Sequence, residues 1–203
     1  MVRPILFNID MVRAILEGRK MVTRRIIKQD KINAVMNSPA RKENPKIPDA
    51  NFINCLVDAP YQRGDILYVR ETWHKYEKRV GKGENTHMAE FYGYKASVAN
   101  SEDASEKWRP SIHMPKEAAR IWLQVTDVRA ERLHNLTNRD AKKEGIHVET
   151  DNSGIAHRAA FMRLWNSTIR KLDVDRYGWN ANPWVWVIEF ERCEKPENED
   201  LRR

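Results

Sequence analysis

Cysteine is scarce in this chain. Cys55 and Cys193 are the only two in 203 residues, they lie far apart, and no CxxC occurs. A fold stapled by several disulfides is excluded, and two reduced thiols are the expectation. The six histidines include no HxxxH or HExxH pair, so the pattern points to no metal ligands and no bound cofactor. No apolar run is long enough to cross a membrane, and the first residues lack the pattern of a secretory leader. A cytoplasmic protein with no membrane partner is expected, and nothing implies an obligate protein partner. No internal repeat is present.

Charge and tryptophan are abundant instead. Charged residues make up 32% of the chain, with 36 Lys and Arg against 29 Asp and Glu, a formal net charge of +7. A basic balance suits an anionic partner: nucleic acid, a nucleotide or an acidic surface. Ordinary solubility produces the same balance. The seven Trp are more telling, because bound bases need aromatic platforms. The length fits one domain, read as residues 1–193, followed by a charged, frayed tail at 194–203.

The segment Gly18-Arg19-Lys20-Met21-Val22-Thr23-Arg24-Arg25 concentrates chemistry. Met11, Val12, Ile15 and Leu16 repeat at helical spacing before it, with Asn8 or Asp10 as N-cap, and Gly18 supplies the positive φ that ends the helix. The chain then reads as a strand from Met21 to Lys28, in which Thr23 and Arg25 share a face. Lys20, in the turn just before, leans over that face. A hydroxyl beside an amine is an activated-nucleophile arrangement, and an Arg beside both suits an anion or a nucleobase. A solvated basic turn is the competing reading.

Further along, residues 29–60 are polar with weak periodicity and read as a long loop or insertion. A turn at Arg63-Gly64-Asp65 leads into a strand from Ile66 to Trp73, whose face Leu67, Val69, Glu71 and Trp73 runs from core towards a mouth. Residues 75–107 read as a second insertion, with a short strand at Phe91–Ala96. The prolines of Trp108-Arg109-Pro110-Ser111-Ile112-His113-Met114-Pro115 favour an extended segment with Ser111 and His113 pointing one way. Ile121, Leu123 and Val125 alternate in a strand from Arg120 to Val128. Thr137 caps a short helix that ends at Glu144-Gly145, where the carboxylate opposes the helix dipole. A helix follows from His157 to Ile169. The last strand, Pro183 to Cys193, is apolar on both faces. These elements predict an α+β fold: a small mixed β-barrel with helices packed outside and long loop insertions.

Gly18-Arg19-Lys20 with Thr23 and Arg25 resembles the signature of ASCH domains, a family of the PUA-like superfamily. Gly64-Asp65-Ile66-Leu67-Tyr68-Val69-Arg70-Glu71 resembles the family's second block. The segment 108–115 and the ending Asn182-Pro183-Trp184-Val185-Trp186-Val187-Ile188-Glu189-Phe190 resemble a phage and prophage branch. The resemblance covers most of residues 3–192 and implies a PUA-like β-barrel with a cleft. It also implies a role in RNA or modified-nucleoside chemistry. One branch of very small bacterial proteins hydrolyses 4-acetylcytidine with a Lys, a Thr three residues later and a distant Glu. Here Lys20 and Thr23 match, and Ala141-Lys142-Lys143-Glu144 stands where that Glu lies. This chain is larger than those enzymes, and they have no obvious counterpart of its 108–115 block.

The resemblance implies a metal-independent amidohydrolase. Thr23 is the nucleophile, Lys20 its base and Glu144 the proton carrier. Arg25 or Arg70 would hold a carbonyl oxygen, a base edge or a phosphate, and Trp73 or Trp108 would stack on the base. Arg109, Ser111 and His113 complete the expected binding set. Glu71 is equally a substrate contact or an ion partner of a cleft cation. The alternatives are a non-catalytic reader of RNA or a modified base, and, ranked last, a ribonuclease using Lys20 with His113 or Glu144.

Overall fold

The computed structural model describes residues 1–98, 107–149 and 155–197. In chain order the strands and helices are β1 (Val2–Leu6), α1 (Ile9–Leu16), β2 (Val22–Ile26), α2 (Gln29–Met36), α3 (Pro39–Glu43), α4 (Asp49–Leu56), β3 (Ile66–Arg70), β4 (Trp73–Val80), β5 (His87–Tyr94), β6 (Trp122–Arg132), α5 (Asn138–Lys143), α6 (Ala156–Thr168), α7 (Val174–Tyr177) and β7 (Trp184–Cys193). The fold is mixed α+β, with a five-stranded sheet and a two-stranded ribbon. Strand pairing does not close that sheet into a barrel among the described residues. The chain divides into two compact units: residues 1–17, 66–123 and 192–203 form one, and residues 18–65 and 124–191 the other.

In the first unit, β1 lies parallel to β3, with Ile5 opposite Val69. The Asn8 side chain accepts a hydrogen bond from Met11 N and caps α1. β4 and β5 form an antiparallel ribbon in which His74 faces Gly93 and Tyr76 faces Phe91. Tyr68, Trp73, Met114, Ala118, Ala119 and Trp122 pack together as a core cluster.

Three sequence expectations change here, and one strand is added. Residues 75–80 and 87–90 are strands, not a loop, and the expected short strand at Phe91–Ala96 is the end of β5, which stops at Tyr94. Lys75, Glu77, Lys78 and Arg79 are all exposed, so the alternation that betrays a half-buried strand is missing. The expected strand from Ile66 to Trp73 is two strands that part at Glu71-Thr72. Ser111–His113 is a 3₁₀ turn, closed by His113 N donating to Pro110 O, instead of an extended run. β1 is an addition, a short strand whose Pro4 disguised it. Residues 99–106 of the expected second insertion lie outside the described residues, as do residues 198–203 of the expected tail.

In the second unit, β2 pairs antiparallel with β7, setting Thr23 opposite Ile188 and Arg25 opposite Trp186. One side of this pair packs on the α5–α6 layer: Val22, Val185 and Val187 join Leu133, Ala141, Phe161, Trp165 and Trp179. Residues 29–60 hold α2, α3 and α4 instead of a loop. Ser38 caps α3 with Pro39 in its first turn. Ile32, Val35, Phe52 and Ile53 are buried, but each short helix offers only two such residues, too few to register as a period. Thr137 makes the expected capping box with Asp140 at the start of α5.

Candidate active site

The site is built in the second unit, where Gly18 at φ +73° turns the chain out of α1 and into β2. Met21 N donates to Lys143 O at 2.8 Å, and a backbone bridge joins Lys20 to Glu144. The start of β2 is thereby tied to the end of α5. Gly145, at φ +89°, ends α5 so that Glu144 becomes its C-cap residue. A carboxylate there opposes the helix dipole, and two cations compensate it.

Lys20 Nζ donates to Glu144 Oε2 at 2.7 Å, to Glu144 O at 3.0 Å and to Val22 O at 2.7 Å. Three acceptors match the three N–H bonds of an ammonium. Arg24 Nη1 donates to the other carboxylate oxygen, Glu144 Oε1, at 3.0 Å. Lys20 is 2% exposed, Arg24 4% and Glu144 5%, so the charges are withdrawn from water. Burial lowers the Lys20 pKa from the ordinary lysine value, Glu144 pulls against that, and Arg25 and Arg24 add to the lowering.

Arg24 also reaches Glu131, at 4.0 Å. Glu131 accepts from Arg129 Nε at 2.6 Å, while Arg129 Nη1 donates to Asp127 and Glu189, each at 2.7 Å. Burial opposes the charge on Arg129, but these three carboxylates outweigh it and raise its pKa above the ordinary arginine value.

Strand parity puts Thr23 and Arg25 on the opposite face of β2 from Arg24. Thr23 is buried there. Arg25 lines a cavity of about 390 Å³ together with Lys28, Lys31, Asp58, Tyr61 and Trp186. Burial lowers its pKa, opposed by Tyr61 and Glu144. The cavity carries flat aromatic walls beside a guanidinium, a lining that accepts a planar polar ring.

The remaining sequence candidates lie in the first unit. Glu71 is 1% exposed and takes a bidentate pair from Arg120, with Nε to Oε1 at 2.8 Å and Nη2 to Oε2 at 3.0 Å. Of its two open readings, the ion partner is the one with a contact. Arg120 also donates to Ser97 Oγ at 2.7 Å and lies 4.1 Å from the Tyr94 ring centre. Arg70 donates to Ile112 O and to the Tyr68 hydroxyl, both at 3.3 Å. Trp73 is buried, bridges Arg109 through the backbone and carries the Arg109 guanidinium 5.2 Å from its ring centre. Trp108 is partly exposed and meets the His74 ring at 4.6 Å. His113 is exposed and Ser111 half-buried on their turn.

The sequence missed Arg24 as a member of the charged cluster, because alternation assigned it to the face away from Thr23. It missed Tyr61 altogether, since Tyr61 sits in a connection without periodicity. Trp186 read only as part of the apolar last strand. No group of His, Cys, Asp and Glu suited to a metal ion occurs among the described residues.

No family model matches this sequence, and no curated protein matches it significantly. Among solved structures, the chain is similar to the high-resolution crystal structure of an ASCH domain from Lactobacillus crispatus JV V101. Identity is 12%, the match covers 94% of this chain and 79% of that one, and the TM-score is 0.38. A likeness of that degree carries no argument about activity.

Proposed function

We propose that this protein is an amidohydrolase that removes an acyl group from the amino group of a nucleobase, N4-acetylcytidine being the reference substrate. The observation that carries this reading is the buried Lys20–Glu144 pair, 2.7 Å apart, at the start of the strand that bears Thr23. The ASCH-like spacing of Lys20, Thr23 and Glu144 supports it. So does the cavity beside Arg25, whose Tyr61 and Trp186 rings offer stacking surfaces.

In this reading Thr23 Oγ attacks the acyl carbonyl as its proton passes to the neutral amine of Lys20. The carbonyl π electrons become an oxyanion, for which the Arg25 guanidinium is the available cation. When the oxyanion collapses, the C–N bond breaks and the nucleobase amine leaves with the proton held by Lys20. The acyl group is then an ester of Thr23. Water attacks that ester as Glu144 takes its proton, and Glu144 returns that proton to Thr23 Oγ as the ester C–O bond breaks, which restores the hydroxyl and releases the carboxylic acid. The lowered pKa of Lys20 favours the neutral amine that the first step requires.

The saturated ammonium geometry of Lys20 favours a second reading, a non-catalytic reader of a modified base. There Lys20, Glu144 and Arg24 only lock α5 to β2, and the Arg25 cavity binds without turnover. Incubation with 4-acetylcytidine and other N-acylated nucleosides, followed by chromatography, separates the two. The hydrolase reading requires turnover that falls at least about a hundredfold in both Thr23→Ala and Lys20→Met. Absence of turnover with every acylated nucleoside, alongside nucleoside binding that Arg25→Ala weakens, establishes the reader instead.

A further inference from the structure

We propose that one face of the β4–β5 ribbon is a stacking platform for single-stranded nucleic acid. The inference rests on the first unit alone and not on the hydrolase reading. Directly opposed residues of an antiparallel pair share a face, so His74 and Gly93, Tyr76 and Phe91, and Lys78 and Ala89 lie on one side. Trp73 and Tyr94, Lys75 and Tyr92, Glu77 and Glu90, and Arg79 and Met88 lie on the other.

Rings run along the first side in a continuous row. Trp108 meets His74 at 4.6 Å, His74 stacks on Tyr76 at 5.2 Å with 20° between planes, and Tyr76 stacks on Phe91 at 5.8 Å with 27°. The row has an open end: Tyr76 is 39% exposed and Phe91 37%. The two rings form an exposed aromatic patch at the end of the row.

The carboxylates are sorted between the two sides, whereas cations stand on both, Lys75 and Arg79 on the second. Both carboxylates placed on the ribbon's paired positions, Glu77 and Glu90, sit on the second side, where Lys75 pairs with Glu90. The first side carries Lys78 and, at the tip opposite Val80, His87, both exposed, and no carboxylate among these paired positions. Open rings beside a lysine that faces no carboxylate match the two surfaces of an unpaired strand, the base faces and the phosphates. A duplex does not fit this platform, because its bases already stack on one another.

The test is fluorescence anisotropy with labelled uridine RNA and thymidine DNA single strands of about a dozen nucleotides, within the usual span of such sites. A duplex of equal length is the control. Wild type is expected to bind the single strands more tightly than the duplex. The double variant Tyr76→Ala with Phe91→Ala is expected to weaken binding about tenfold or more. Tyr76→Leu with Phe91→Leu keeps the apolar cover and must weaken binding too, and it decides the matter if the alanine variant unfolds. Lys78→Glu is expected to weaken binding and reduce its salt dependence, whereas Lys75→Glu on the opposite side leaves it within about twofold. The proposal is overturned by a wild type that binds no single strand or binds duplex equally well. Leucine variants that bind like wild type, or equal losses in Lys78→Glu and Lys75→Glu, overturn it as well. RNA and DNA bound alike support a shared stacking mode, and a preference for RNA adds a contact to the 2′-hydroxyl.

Discussion

The carboxylate of Glu144 lies 2.7 Å from the ammonium of Lys20, a residue 124 positions earlier in the chain. Its other oxygen holds Arg24 at 3.0 Å. One buried anion therefore serves two buried cations, and the fold depends on it more than on either cation. Glu144→Gln keeps the shape of the side chain and removes the charge that both cations need. Breaking a buried pair from one side costs about 3–5 kcal/mol. We expect Glu144→Gln to lose stability in that range by urea unfolding. Lys20→Met should lose distinctly less, because Arg24 still pairs with Glu144.

The pH dependence of Lys20 follows from the sign of its shift. Its pKa is lower in the folded protein than the ordinary lysine value of 10.5, chiefly through burial. Between the folded value and 10.5 the unfolded chain holds more protons than the folded one. Stability contributed by this group therefore rises with pH across that window and is lowest below it, where both states carry the charge. Urea unfolding of wild type and Lys20→Met from neutral to alkaline pH checks this. The stability of wild type relative to the variant should rise with pH. A flat difference would mean that Glu144 fully offsets the burial. In the hydrolase reading, the rate should rise with pH through the same folded value.

Some of this site was legible in the sequence and some was not, for physical reasons. Gly18 and the Thr137 capping box announce their geometry through residue type, because few residues take a positive φ and few accept an N-cap hydrogen bond. Lys20 and Glu144, by contrast, meet through a bridge between a strand start and a helix end, a contact that no local pattern encodes. Arg24 shows what alternation leaves out: it gives a residue's face but not its partner. It does point away from Thr23, and Lys20 reaches the same carboxylate by folding back along the backbone to Val22 O. The ribbon at 73–94 was hidden because both its sides hold charged residues, and period-2 patterning needs one dry face.

The Asp140 pair predicts an acid limb. Partial burial raises the Asp140 pKa, but hydrogen bonds from the Thr137 hydroxyl and N–H outweigh it, with Arg24 and Lys143 assisting, so the folded value is below the ordinary one. A depressed carboxylate stabilises the fold above its unfolded pKa and loses that contribution as pH falls through the folded value. Thr137→Ala should cost about 1 kcal/mol near neutral pH. The gap between wild type and variant should shrink as the solution is acidified below the ordinary aspartate value. Thermal unfolding at several acidic pH values measures both effects.

In the first unit, Arg120 should not be replaceable by Lys. Its guanidinium gives two parallel hydrogen bonds to Glu71, a third to Ser97 Oγ, and lies over the Tyr94 ring. A lysine keeps the charge but loses the fork. Glu71 is almost fully buried, so its unmatched oxygen is costly. We expect Arg120→Lys to destabilise by about 1–3 kcal/mol in chemical unfolding. Glu71→Gln with Arg120→Met together should recover part of the loss of Arg120→Lys, since replacing both partners removes the unpaired charge.

Gly93 sets the ring row on β4 and β5, and its replacement is the sharpest local test. A Cβ built at Gly93 would stand 1.7 Å from His74 Nε2 and 2.2 Å from His74 Cδ2. The Nε2–Cδ2 edge of the imidazole thus fills the space that a side chain at Gly93 would occupy, and the ring lies within stacking distance of Tyr76. Gly93→Ala must lift the ring off the strand or splay the ribbon. Overpacking of this kind costs about 1–3 kcal/mol. Because His74 also touches Trp108, the displacement should shift the indole's emission, and near-ultraviolet circular dichroism should lose part of the aromatic signal while far-ultraviolet signal stays. His74→Ala in the Gly93→Ala background makes room for the new methyl group and should recover stability relative to Gly93→Ala alone. A double variant no more stable than the single one would show that Gly93 is needed for backbone conformation and not for the ring.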